Sequence, residues 1–155
     1  MADQFGVSNL ATERMVVAAP PELCFAVVSD VERYNEWAAD IKQVTVVNRD
    51  EEGRPLEVMW RAGAFGRSTS YTLQYDYSDA PRTLAWNQVR GDLTSKLDGQ
   101  YRFERSPDGG TEVTYTLAVE LRVPLPGFIK RRAQSRIMHT AMEDLKARVE
   151  SSLTT

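Results

Sequence analysis

Ten side chains carry most of the chemistry this sequence offers, and they are rings and thioethers rather than acids, bases or nucleophiles. Tyr71, Tyr75, Tyr101 and Tyr115 fall at positions of one parity in segments of period-two alternation, together with Phe103, so they share the inward faces of neighbouring strands. Trp60 and Trp86 lie on adjacent strand segments, Tyr34 and Trp37 on a short helix, and Met138 and Met142 on the final helix. A wholly structural core at such strand positions leans on Val, Ile and Leu. An inward tyrosine adds a hydroxyl that needs a partner once buried. A few polar groups in an apolar cavity is the usual makeup of a small-molecule site. Phe103 aside, these ten residues are therefore the expected lining of a ligand cavity, the alternative being that the rings fill the interior.

Groups that make or break bonds are scarce. The sequence lacks GxSxG, GxxxxGK[ST], HExxH and a helix-opening GxGxxG. His139 is the only histidine and sits roughly opposite the apolar stripe of its helix, the position of a solvated side chain. Cys24 is the only cysteine, which excludes an intrachain disulfide and a zinc-type Cys/His cluster. It lies among apolar residues with no base to activate it, so an inert buried thiol is expected. Asp50, Glu51 and Glu52 cluster in a turn and read as a solvated loop. The run Lys130-Arg131-Arg132, with Arg136, opens the last helix, where cations oppose the macrodipole. It reads as a solvated helix face or, more sharply, as a contact for an anionic surface or a partner's acidic patch. No cofactor and no metal are expected.

The elements that must position these residues follow from periodicity. Residues 9–18 read as a strand, closed by Ala19-Pro20-Pro21-Glu22. A proline at a first helical position starts a short helix over 21–29, and Asp30 is placed to cap a second over 31–38. A meander follows through 41–49, 55–62, 67–77, 83–90, 93–105 and 111–121. Its turns are Asp50 to Gly53, Gly63 to Gly66, Asp79 to Pro81 and Pro107 to Gly110. On 67–77 the inward set is Thr69, Tyr71, Leu73, Tyr75 and Tyr77; on 93–105 it includes Leu93, Ser95, Leu97 and Gly99. Residues 128–152 contain no Pro or Gly, and Ile129, Ala133, Ile137, Ala141, Leu145 and Val149 recur every four residues. Spacing by four drifts around a straight helix, so this apolar surface spirals, as suits a helix lying diagonally over a twisted sheet. The fold class is α+β: a curved antiparallel sheet of about seven strands, with its apolar face covered by the only helix long enough to do so.

Composition agrees. The 155 residues suit one domain spanning 1–155, 42% of them are hydrophobic, and the formal net charge of −3 argues against a nucleic-acid module. Met1 to Phe5 lack the charged and apolar regions of a signal peptide, and no run reaches the roughly 18 apolar residues of a membrane span. A cytoplasmic protein is expected.

Several stretches resemble the START-like (SRPBCC) helix-grip superfamily, in particular its polyketide cyclase/dehydrase and lipid-transport branch. They are Ala19 to Phe25, Val27 to Tyr34 continuing to Trp37, Ala80 to Trp86, Gly99 to Phe103 and Gly110 to Tyr115. The resemblance implies a helix-grip fold whose sheet and long helix enclose a cavity for sterols, lipids, quinones or polyketide intermediates. Some relatives are aromatase/cyclases with an inward arginine on the strand matching 67–77. Here that position holds Tyr75, while Arg67 shares the parity at the strand's first residue and stays open as the missing cation. The function implied is binding or transport of a small hydrophobic ligand. The alternative is a polyketide aromatase/cyclase or dehydratase acting on a bound poly-keto chain.

Overall fold

The computed structural model describes residues 10–64 and 67–153. Seven strands form one curved antiparallel sheet: β1 (Leu10–Val17), β2 (Ile41–Arg49), β3 (Pro55–Ala64), β4 (Arg67–Asp76), β5 (Thr83–Gly91), β6 (Thr94–Arg105) and β7 (Thr111–Leu121). Their lateral order is β1-β7-β6-β5-β4-β3-β2. Helix α1 (Pro21–Ser29) and a short 3₁₀ helix (Val31–Glu36) thus carry the chain from one edge of the sheet to the other. Helix α2 (Gly127–Ser151) closes the chain. This is the expected helix-grip arrangement. The expected strand start at residue 9, the Phe65-Gly66 half of the β3–β4 connection and the Met1 to Phe5 segment lie outside the described residues.

Local sequence explains most boundaries. Pro21 stands at the start of α1, where its missing N–H costs nothing, and Cys24 and Val28, four apart, are its buried residues. Gly53 and Gly109 hold φ of +84° and +92° in the β2–β3 and β6–β7 turns. The Asp50 carboxylate accepts the backbone N–H groups of Glu52 and Arg54 at 3.0 and 2.9 Å, so the acidic cluster is a structured turn.

Three expectations need correction. Asp30 makes no side-chain cap to the following helix; its carboxylate pairs instead with Arg33 at 3.3 Å, and the helix is a 3₁₀ element ending at Glu36. Ser95 is exposed rather than inward, because an irregularity between Thr94 and Lys96 shifts the β6 register and buries Thr94. The spacing-by-four stripe of α2 coincides with its buried face only at the C-terminal end, at Leu145 and Val149. The buried residues of the helix are Gln134, Met138, Met142, Leu145 and Val149, while Ile129 is 40% exposed. Each step of four overshoots a full turn by about 40°. Over five steps Ile129 is carried almost to the opposite side from Val149.

The C-terminal half of α2 is fixed on two sides. Glu150 Oε2 accepts the Ala18 N–H at 2.8 Å, and Lys146 Nζ donates to the Val16 carbonyl at 2.8 Å, tying the helix to the end of β1. On the other side Asp144 Oδ2 accepts the Ala39 N–H at 3.0 Å, and Arg148 pairs with Glu36 at 2.8 Å. Burial of Met138, Met142, Leu145 and Val149 adds roughly 1.5–3 kcal/mol each. Gln134, also buried, donates to the Leu117 carbonyl at 2.8 Å and so docks α2 on β7.

Gly99 has a role that its type alone does not reveal. It pairs with Trp86 across β5 and β6, and a Cβ there would lie 2.5 Å from the indole and 2.9 Å from the Thr116 carbonyl oxygen. The bare backbone is what lets the Trp86 ring lie flat across β6. Gly99→Ala is expected to destabilise the fold by about 1–3 kcal/mol through overpacking. Urea unfolding checks this, and an unchanged midpoint contradicts it.

Candidate ligand cavity

Strand register assembles the rings. Trp60 pairs with Tyr71, Tyr75 with Trp86, and Tyr101 with Tyr115, all on the face of the sheet that α2 covers. The Tyr101 and Tyr115 rings stack with centroids 4.5 Å apart, and Trp86 sits 5.6 Å from Tyr101 and 6.1 Å from Tyr75. Tyr34, from the 3₁₀ helix, packs 4.6 Å from Trp37 and 4.8 Å from Trp60. Between this aromatic wall and α2 lies a cavity of about 170 Å³.

Eight of the ten expected residues line it: Tyr34, Trp37, Trp60, Tyr71, Tyr75, Trp86, Tyr101 and Tyr115. Met138 and Met142 do not. They are buried in the packed core, one helical face away, while Ile137, Thr140, Ala141 and Asp144 turn towards the cavity. Those four follow the i, i+3, i+4, i+7 pattern of one helix face, but only two are apolar, which hid the face from a hydrophobic reading. Asp40 and Asp144 were also missed; they are the acidic residues of the lining, at the end where β2 begins and β3 ends. Arg67 is exposed and is not part of the lining. His139 is likewise exposed and lies 3.4 Å from Glu143, and Cys24 is fully buried, with burial pushing its thiol pKa up.

The cavity is apolar with unspent hydrogen-bonding capacity. Tyr34 donates to the Val28 carbonyl at 2.5 Å, so its hydroxyl is committed to the fold. Among the described residues, no hydrogen bond reaches the hydroxyls of Tyr71, Tyr101 and Tyr115. The buried Trp60 Nε1 also closes no hydrogen bond of normal geometry. It lies near enough to Tyr75 to favour the phenolate slightly, far less than burial opposes it. An unsatisfied buried donor costs about 1–3 kcal/mol.

Burial decides the charge state of the wall. It raises Tyr34, Tyr75 and Tyr115 well above the ordinary phenol value, raises Tyr71 and Tyr101 in the same direction, and pushes Tyr77 up to about 12. The negative charge of Asp40 adds to the effect at Tyr71. At neutral pH these phenols are donors and acceptors, not bases.

The comparisons with known proteins agree with this geometry. A family model described as polyketide cyclase/dehydrase and lipid transport matches residues 17–146. The chain belongs to that family. Among solved structures, a START superfamily protein from Mycobacterium smegmatis superposes with a TM-score of 0.87 at 24% identity, covering 92% of this chain and 97% of that one. The Zhui aromatase/cyclase from Streptomyces sp. R1128 gives 0.81 at 17% identity, covering 93% and 94%. Likeness at these identities carries the fold of the polyketide cyclase/dehydrase and lipid-transport family, not a substrate. No protein of curated function matches the sequence.

Because the native phenol values are raised, the stability these tyrosines contribute is complete below about pH 10, the unfolded value, and is lost as pH climbs towards the native values. Phenolate absorbance should therefore rise together with loss of far-ultraviolet circular dichroism, in one cooperative step. A smooth titration near the ordinary value with the fold intact contradicts the burial described.

Proposed function

We propose that the protein binds and carries a small, neutral, oxygen-bearing hydrophobic molecule of one or two rings, such as a quinone or the ring portion of a polyketide. One observation carries this reading. The lining joins apolar rings to uncommitted hydroxyls and an indole N–H, and its only charged side chains among the described residues are those of Asp40 and Asp144. A neutral carbonyl or phenol finds donors there. An anionic headgroup finds none that is charged, and a buried unpaired carboxylate is strongly disfavoured. Size supports the same class, since a cavity of about 150 Å³ accommodates benzene and this one measures about 170 Å³.

The second reading is ring closure in a bound poly-keto chain, favoured by the hydroxyls of Tyr71, Tyr101 and Tyr115 that the fold leaves uncommitted. Orientation of the chain is then the main catalytic contribution. Tyr75→Phe and Tyr101→Phe should change the distribution of cyclised products from a linear poly-keto substrate, and unchanged products remove this reading.

Calorimetric titration with 1,4-naphthoquinone and with 1-naphthoate, a neutral and an anionic molecule of similar size, tests the binding proposal. Saturable one-to-one binding of the quinone and none of the naphthoate is expected. Ala141→Trp, which fills the cavity from α2, should weaken quinone binding by at least about tenfold, or ~1.4 kcal/mol. Equal binding of the naphthoate, or an indifferent Ala141→Trp protein, contradicts the proposal.

A further inference from the structure

The first turns of α2 and the loop before them carry a second feature that the cavity does not use. Val123, Leu125, Phe128 and Ile129 are exposed by 46, 39, 60 and 40%. Singly exposed apolar residues are common, but four within seven positions form a patch. The same stretch is strongly basic. Residues 121–142 contain Arg122, Lys130, Arg131, Arg132 and Arg136 and no Asp or Glu, in a chain whose net charge is −3. At about 100° per residue, Phe128, Ile129, Arg132 and Arg136 fall within one arc of about 100°. The buried Gln134 and Met138 lie on the other side of the helix. Apolar side chains and guanidinium groups therefore share a single outward face.

The patch adjoins one end of the cavity. The Arg122 N–H donates to the Leu93 carbonyl at 2.9 Å and its Nε to the Gly91 carbonyl at 3.1 Å, which seats the loop against the β5–β6 turn. Leu93 and Thr94 of that region line the cavity. The bonds that hold α2 run from Gln134 to the Leu117 carbonyl on its inner face and, at Asp144 and beyond, to both flanks, so the outward face carrying Phe128, Ile129, Arg132 and Arg136 takes no part in them.

The geometry points to docking of this face on an anionic lipid surface, with Phe128 and Ile129 entering the interfacial region and the arginines meeting lipid phosphates. Apolar groups flanked by cations are what an interfacial helix requires, and long basic side chains reach headgroups while their stems lie on apolar surface. Charge complementarity favours a lipid surface over a second copy of this chain, whose identical face would present the same cations. The docking would bring the Leu93–Thr94 end of the cavity towards the bilayer, but it does not depend on which ligand the cavity takes.

Co-sedimentation with phosphatidylcholine vesicles, with and without phosphatidylglycerol, tests it. The protein should pellet only with phosphatidylglycerol present and should be released by high salt. The double variants Phe128→Ser with Ile129→Ser, and Arg132→Glu with Arg136→Glu, should each cut partitioning by about tenfold or more. All four sites are exposed, and circular dichroism verifies that the variants fold. As an independent reading, a tryptophan introduced by Phe128→Trp should be quenched by brominated lipid. Pelleting with neither vesicle, equal pelleting with both, or variants that pellet like the wild type overturn the proposal. So does a dimer that Phe128→Ser dissociates, which assigns the face to a second copy. Salt-sensitive retention on polyglutamate without vesicle binding assigns it to an acidic protein and overturns it too.

Discussion

The fixation of α2 by its C-terminal half is the constraint on which the rest of this fold depends. An antiparallel sheet with one apolar face is not stable until that face is covered. Here Met138, Met142, Leu145 and Val149 provide the contact, and the Ala18–Glu150 and Ala39–Asp144 hydrogen bonds set the helix azimuth. Those two bonds come from opposite flanks, one from the end of β1 and one from the turn before β2. With the helix held in this way, Ile137 and Ala141 stand over the aromatic wall without closing on it. The cavity is what remains between a helix fixed by its neighbours and a sheet whose largest rings are braced against one another.

Those rings are braced by small residues as much as by large ones. Trp86 lies flat because Gly99 has no side chain, and Tyr101 stacks on Tyr115 because β6 and β7 pair them directly. The wall is thus formed by sheet geometry before any ligand arrives, which limits the conformational entropy lost on binding. Burial keeps its phenols neutral, and the acidic residues of the lining are confined to the end near Asp40 and Asp144. On the reading proposed above, shape selects rings, and a lining that holds no cation among the described residues disfavours anions.

Much of this was legible in the sequence, for definite reasons. Alternation on β4, β6 and β7 marked the inward tyrosines because period two survives as long as pairing is regular. It failed at Ser95, where the irregularity beside Thr94 changes which side faces in. Helix α2 was recognisable from its length and lack of Pro and Gly, but its buried face was legible only at its C-terminal end, where Leu145 and Val149 belong to the stripe. A repeat of four drifts off a period of 3.6, and two of its cavity-facing positions are Thr140 and Asp144. The methionines were displaced from the cavity for the same reason. Asp40, Asp144 and the steric role of Gly99 left no sequence signal, since each depends on contacts between residues far apart in the chain.

On the proposed function, a neutral oxygen-bearing ring enters between Trp60 and the tyrosine wall. The indole N–H resonances of Trp37, Trp60 and Trp86 report on it directly by nuclear magnetic resonance. On addition of 1,4-naphthoquinone the Trp60 resonance should move downfield as its buried donor gains an acceptor, and the Trp86 resonance should show a ring-current shift. If all three indole resonances stay in place at saturating quinone, the ligand is not in this cavity; if Trp37 alone responds, it does not reach the Trp60 donor, and either result contradicts the proposed binding mode.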